Sequence, residues 1–186
     1  SIVHPIMLEN GWEFRTDFSQ CTGDQILGKN SIFEVYLAAD KNITSRASVP
    51  VLWDVKQATI VSNESSEIIR MFNSAFEQIS VNELDLYPRT LRTEIDELNA
   101  MIYDDVNNGV YKTGFATSQK SYTESFTKLF ECLEELEQRL SINRFLLGDK
   151  ITEADWRLFT TLVRFDAVYV GHFKCCLLYT SDAADE

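Results

Sequence analysis

The sequence predicts an α/β unit followed by an all-helical one, and three observations carry that prediction. Up to residue 69 the apolar runs are short and β-branched, SIVHPIM, VPVLWD and ATIVS, and such runs between turn residues form strands. Beyond Asn63 the apolar residues recur every three or four positions, the period of an amphipathic helix. Between the two patterns, residues 78–88 are polar and end in Pro88, as a connection between domains does.

Taken in order, SIVHPIM is the first expected strand, and residues 8–48 then hold Gly11, Gly23 and Gly28 with one helix-compatible patch at 32–39. So long a stretch predicts a crossover with a short helix rather than a plain loop. VPVLWD and ATIVS, joined by residues 54–57, predict a hairpin. Ile68, Ile69 and Phe72 begin the helical stripes; Leu91, Ile95, Leu98 and Ile102 continue them. The longest stripe is Tyr122, Phe126, Leu129, Leu133, Leu136 and Leu140, with Glu131, Glu134, Glu135 and Glu137 largely on its other side. At ITEADW, Thr152 and Asp155 have the spacing of a capping box, Ile151 and Trp156 that of a hydrophobic staple, and Gly148-Asp149 supplies the preceding turn. This reads as a structural helix start with no catalytic part.

Composition narrows the function classes. With 45% hydrophobic and 12% aromatic residues in 186, the chain can bury a core. A net charge of −12, from 29 acids and 17 bases, argues against a nucleic-acid partner, which requires clustered Lys and Arg. No apolar run approaches the roughly 20 residues of a membrane span, and the amino end has no secretory pattern, so a cytoplasmic protein is expected. Cys21, Cys132, Cys175 and Cys176 lack metal-ligand spacing, and His4 and His172 are too isolated to complete a site. The expectation is reduced thiols and no metal.

The chemistry concentrates at residues 47–69. Pro50 interrupts a strand-like run. A proline cannot donate to a ladder and marks an edge or bend, and a cis Val49-Pro50 bond would turn the Val49 backbone outward for an extended peptide. The hairpin then delivers Asn63-Glu64-Ser65 to a helix start. Free N–H groups there favour a carboxylate, and Glu64 can answer an ammonium. Singly, each residue reads as an edge proline or a cap. Together they describe a site for a zwitterionic amino-acid group joined to a short peptide.

That order, strand, proline, hairpin, acid-serine pair and helix, followed by an all-helical half, resembles the glutathione transferase superfamily, whose fold joins a thioredoxin-like domain to a helical domain. HPIMLENGWEF (residues 4–14), SNESSEIIRMFN (62–73), VNNGVYKTGFATSQ (106–119) and LGDKITEADWRLFTTLVRFDAVYVGHFKC (147–175) narrow it. They look like the Xi class, the omega-like glutathionyl-hydroquinone reductases. The resemblance implies a glutathione-binding thioredoxin-like domain at residues 1–77, a linker at 78–88 and a helical transferase domain at 89–175. Residues 176–186, CLLYTSDAADE, resemble a translated sequencing adapter and are set apart from the fold.

The family's activity is removal of glutathione from glutathionyl-hydroquinones by a cysteine of a Cys-Pro-Trp motif, with a second glutathione resolving the mixed disulfide. The chain contains no Cys-Pro-Trp. The expectation is therefore an internal fragment lacking the first strand and helix and the last helices, inactive by itself. By motif, the resemblance implies that Trp12 packs on glutathione, that Arg46, Ala47, Ser48 and Val49 give it a polar and backbone edge, and that Glu64 with Ser65 holds its γ-glutamyl end. It implies Tyr111 as proton donor to the leaving hydroquinone oxygen, Tyr169 as hydrogen-bond donor to the nucleophilic sulfur, and a homodimer through the helical domain. Spacing alone leaves Trp12 and Tyr169 equally readable as core. Cys132, beside an apolar stripe and among acids, is a poor thiolate. Two other readings stay open: a glutathione-binding protein without chemistry, and a cysteine-type transferase reducing dehydroascorbate or mixed disulfides.

Overall fold

The structure, a computed structural model, describes residues 1–7, 9–76, 79 and 84–177. The chain divides into two compact units, Ser1–Val81 and Asn82–Glu186. Residues 78 and 80–83 of the expected linker and the residues from 178 onward lie outside the described residues.

In the first unit, helix α1 (Ile32–Ala39) occupies the range that its apolar patch predicts. Ser31 caps it: its hydroxyl accepts the Glu34 N–H at 3.4 Å, while the Glu34 carboxylate accepts the Ser31 N–H at 3.2 Å and the Asn30 N–H at 2.6 Å. This reciprocal box satisfies donors that a helix start otherwise leaves open. Ile32, Val35 and Tyr36 are its buried face. The expected hairpin is present as antiparallel strands β1 (Leu52–Asp54) and β2 (Thr59–Ser62). Asp54 Oδ1 closes the turn, accepting the N–H groups of Lys56 at 2.8 Å and Gln57 at 2.9 Å. Helix α2 (Ser65–Ser74) follows and buries Ile68. Ile69 and Phe72, read as part of the same stripe, face outward instead.

The expected first strand does not form a ladder. Ile2 makes an isolated bridge to Gly23, and His4 N–H donates to the Glu13 carbonyl at 2.8 Å. Pro5 brings no N–H, and the Ile6 N–H is taken by His4 Nδ1 at 3.2 Å. Ile6 and Met7 are left exposed.

Asp24 organises the loop before α1. Its carboxylate accepts the N–H groups of Ile26 at 3.0 Å, Leu27 at 3.2 Å and Lys29 at 2.9 Å and the Ser1 hydroxyl at 3.1 Å. Burial pushes its pKa up, but the N–H groups of Lys29, Ile26 and Leu27 and the Ser1 hydroxyl outweigh burial and hold it below the ordinary 3.8. A depressed carboxylate lends stability that is full above its unfolded value and is lost as pH falls through the lower folded value. Asp24→Asn is expected to flatten the stability curve below pH 3.8, measured by urea unfolding across acid pH. Parallel curves for the variant and the parent chain would contradict this.

The second unit is helical: α3 (Arg92–Met101), α4 (Gly109–Gly114), α5 (Gln119–Ile142) and α6 (Glu153–Arg164). Its core joins Leu98, Ile102, Leu129 and Leu136 of the predicted stripes, with Val106 and Val110 that the stripes did not include, to residues of α6; Tyr122 and Phe126 form a second cluster, Leu140 is exposed and Leu91 half-buried. Two π-helical segments, Ile102–Asn107 and Phe165–Val170, follow α3 and α6 without a break. In the first, Asn108 N–H reaches the Tyr103 carbonyl at 2.9 Å. Asn107 is drawn to α6, its carboxamide donating to Thr161 Oγ1 at 2.6 Å and the Arg157 carbonyl at 3.1 Å.

The α6 start has the reciprocal cap read from the sequence. Asp155 accepts Thr152 N–H at 2.8 Å, Thr152 Oγ1 at 2.9 Å and Leu146 N–H at 2.9 Å, so it ties the preceding turn to the helix. Gly148 has φ +112° there, which a side chain would oppose. Trp156, expected in a staple, is half-exposed and edge-on to Phe159. Among the described residues no helix is long and apolar enough to cross a membrane.

Candidate glutathione and tyrosine sites

In the first unit the polar side chains converge on Tyr36. Its buried hydroxyl donates to the Ser48 carbonyl at 3.1 Å and accepts the Ser48 N–H at 3.3 Å and Asn63 Nδ2 at 2.9 Å. Asn63 Nδ2 also reaches Ser48 Oγ at 3.3 Å. One phenol thus binds α1, the segment before β1 and the residue before the α2 cap. The Val49-Pro50 bond in that segment is cis.

The α2 start differs from the sequence reading. Glu64, not Asn63, is the cap residue, without a side-chain cap bond. Ser62 does the capping: its Oγ accepts the Glu64 N–H at 3.1 Å and donates to Glu67 Oε2 at 2.7 Å. Asn63 is thereby released to tie the helix to Tyr36. Glu64 and Ser65 are exposed, and the N–H groups of Ser65 and Ser66 have no acceptor among the described residues. The helix therefore offers donors, the positive end of its dipole and a free carboxylate within adjacent residues.

The other candidates lie around this group. Trp12 is half-buried and anchored through its carbonyl, which accepts the Ile32 N–H at 2.9 Å. Ala47 lines a hollow of about 840 Å³ with Glu13, Phe14, Asn30 and Phe33. Val49 lines an apolar hollow of about 350 Å³ with Ile32, Val35 and Trp53. Arg46 is exposed. Of the seven residues proposed for glutathione, Ser48 is the one fastened directly into the Tyr36 network. Tyr36 itself escaped the sequence reading, since its partners are 12 and 27 residues away.

In the second unit, Tyr111 on α4 and Tyr169 on the second π segment meet hydroxyl to hydroxyl at 3.2 Å. Tyr111 is 43% exposed and Tyr169 5%. Burial first, then the hydrogen bond to Tyr111, pushes the Tyr169 pKa up to about 12. Its proton is held through neutral pH, and either hydroxyl of the pair can donate to the other. Aromatic rings frame the pair: Phe115 stacks on Tyr111, and Phe173 stands edge-on to both tyrosines. The sequence motifs singled out both tyrosines, but not that their hydroxyls touch.

The cysteines near this group are poor nucleophiles. Burial pushes Cys132 up to about 11 and Cys175 up to about 12, whereas exchange requires a thiolate. Among the described residues no group of three or more His, Cys, Asp or Glu side chains could hold a metal.

Comparison with known proteins bears on the fold. The family model described as the C-terminal domain of glutathione S-transferase matches residues 119–184. The chain is 58% identical over 175 residues to the glutathionyl-hydroquinone reductase YqjG of Escherichia coli K12, covering 94% of this chain and 53% of that protein. The glutathione-bound structure of YqjG superposes with a TM-score of 0.92 at 51% identity, covering 100% of this chain and 65% of that one. Glutathione transferase Xi 1 from Trametes versicolor gives 0.90 at 49% identity, over 95% of this chain and 62% of that one. The chain spans about half the length of the curated relatives it matches. It carries the glutathione transferase fold, a thioredoxin-like unit followed by a helical one, and over 95–100% of its length it is similar to glutathione transferases of the Xi class.

Proposed function

We propose that the protein of which this chain is part is a glutathione-dependent reductase that removes glutathione from S-glutathionyl-hydroquinones. The observation that carries the reading is the Tyr111–Tyr169 hydroxyl pair at 3.2 Å, one phenol accessible and one buried, in a chain 58% identical to a glutathionyl-hydroquinone reductase. In the reaction a cysteine thiolate attacks the glutathione sulfur of the keto tautomer, whose ring carbon already bears its new hydrogen. The carbon–sulfur bond breaks, its electrons pass through the ring to the oxygen, and that oxygen takes a proton. A second glutathione thiolate then displaces the enzyme sulfur to give oxidised glutathione. Overall the thioether sulfur and one free glutathione thiol are oxidised to the disulfide, the aryl carbon is reduced, and the enzyme thiolate is regenerated.

Tyr111 supplies the proton to the oxygen, and Tyr169 donates a hydrogen bond that favours the anionic sulfur. The γ-glutamyl carboxylate lies at the Ser65 end of α2 and its ammonium against Glu64; Trp12 packs on the tripeptide, and Arg46, Ala47, Ser48 and Val49 border it. The nucleophile belongs to a Cys-Pro-Trp segment that this chain does not contain. The linker at residues 78–88, a homodimer through the helical unit and a cytoplasmic location complete the proposal; the last rests on the free cysteines.

The glutathione site has its own test. In the chain completed with the family's missing segments, Glu64→Ala is expected to weaken glutathione binding by roughly 1–3 kcal/mol, the range for a hydrogen bond to a charged group, measured by calorimetry. Unchanged affinity would move the γ-glutamyl site elsewhere.

A further inference from the structure

We infer that Phe173 is a positioning residue that holds the Tyr111 and Tyr169 hydroxyls together, an inference resting on the reading that this pair serves the reaction. Neither tyrosine has a long, rigid support. Tyr111 sits on α4, a helix of 6 residues, and Tyr169 at the end of a π segment. The ring of Phe173 bridges them, edge-on to Tyr111 at 5.3 Å and 88° and to Tyr169 at 5.4 Å and 69°. It also meets Phe115 at 5.3 Å and 70°. Edge-to-face geometry is the attractive one for such rings and specifies direction as well as contact.

Two devices seat the ring. The first is Gly114: a Cβ there would come within 2.7 Å of Phe173 Cβ and Cγ, closer than packed carbons allow, so the ring fills the space that any other residue would take. The second is the turn that carries Phe173. Lys174 has φ +55°, a left-handed conformation uncommon outside glycine, and the turn is fastened on both sides. The Tyr122 hydroxyl donates to the Lys174 carbonyl at 2.8 Å, Cys175 N–H donates to the Tyr169 carbonyl at 3.0 Å, and Cys175 Sγ lies 3.7 Å from the Val110 carbonyl. The turn is thus bonded to the residue before Tyr111 and to Tyr169 itself. A fixed wedge between two short elements sets the distance between their hydroxyls.

The test is a tyrosine titration of this chain, with ring-labelled tyrosines assigned by NMR and the fold followed by amide spectra. Tyr169 also faces Arg164, which lowers its pKa, and Cys175, which raises it; both are unchanged in the variants. Phe173→Met conserves volume but removes the edge-on ring, and Gly114→Ala displaces the ring from the opposite side. Both are expected to bring the Tyr169 pKa down from about 12 toward its ordinary 10, with the amide pattern of the helical unit retained. Phe165→Leu, which removes a ring facing Tyr169 but not Tyr111, should leave it high. An unchanged Tyr169 in Phe173→Met, an equal fall in Phe165→Leu, or loss of the fold in both test variants would overturn the inference. The readout needs no glutathione, so failure here leaves the proposed reaction standing, and failure of that reaction leaves the titration to be judged alone.

Discussion

Tyr111→Phe slows release of hydroquinone by about 10²–10⁴-fold, the usual contribution of a positioned general acid, in the chain completed with the Cys-Pro-Trp segment and the family's last helices. Formation of the enzyme–glutathione disulfide from oxidised glutathione keeps its rate, because there the leaving group is a thiolate and no aryl oxygen awaits a proton. The geometry separates the two roles. Tyr111 is 43% exposed and open to solvent, as the proposed proton donor must be; Tyr169 is 5% exposed, and burial pushes its pKa up to about 12. Tyr169→Phe therefore raises the pKa of the attacking thiol and slows both reactions at neutral pH. Stopped-flow comparison of the two substrates checks this; equal losses on both substrates in both variants would contradict the assignment.

Glu153→Ala lowers the stability of the helical unit by about 3–5 kcal/mol, the cost of breaking a buried charged pair from one side. The Glu153 carboxylate is 4% exposed, accepts Asn99 Nδ2 at 2.8 Å and lies 3.5 Å from the Arg157 guanidinium. Asn99 is as deeply buried, and its Oδ1 already has no hydrogen-bond partner, so removing Glu153 leaves the whole carboxamide unmet. The acid also sits in the first turn of α6, where the helix dipole favours a negative charge. Glu153→Gln keeps an acceptor and loses less. At roughly 4–8 °C per kcal/mol for a unit near 100 residues, the alanine variant melts more than about 10 °C lower in a thermal scan of the helical signal. A drop within a few degrees would show that Arg157 and Asn99 find other partners.

What could be read before any coordinates is what local physics decides. The α1 bounds follow from an apolar patch, and the Thr152–Asp155 box from a three-residue spacing. The hairpin follows from two β-branched runs around a polar turn. Where two local rules competed, the reading failed: SIVHPIM has strand composition, but Pro5 and the His4 ring take it out of the ladder. Asn63 has the composition of a cap, but Ser62 with Glu67 does the capping and leaves Asn63 to Tyr36.

Long-range features had no local signal at all. The first π segment has a pairing five residues apart, and its Asn107 is held by α6. Tyr36 and Phe173 act through residues far along the chain. The candidate residues themselves were legible only through motif resemblance; periodicity gave no reason to prefer Tyr111 or Tyr169 over any other aromatic on an apolar stripe. Their contact at 3.2 Å is what the fold adds.

On the proposed reading, this chain carries the glutathione-holding and proton-donating parts of a thiol-exchange reductase but not its nucleophile. The measurement that bears on it most directly is turnover of an S-glutathionyl-hydroquinone, with hydroquinone and oxidised glutathione quantified together. The chain as written, with Cys132 pushed up to about 11 and Cys175 up to about 12 and no Cys-Pro-Trp, is expected to produce neither. The same chain joined to the Cys-Pro-Trp segment and the family's last helices is expected to produce both in equal amounts. Turnover by the 186-residue chain alone, or glutathione binding without turnover by the completed protein, would contradict the account.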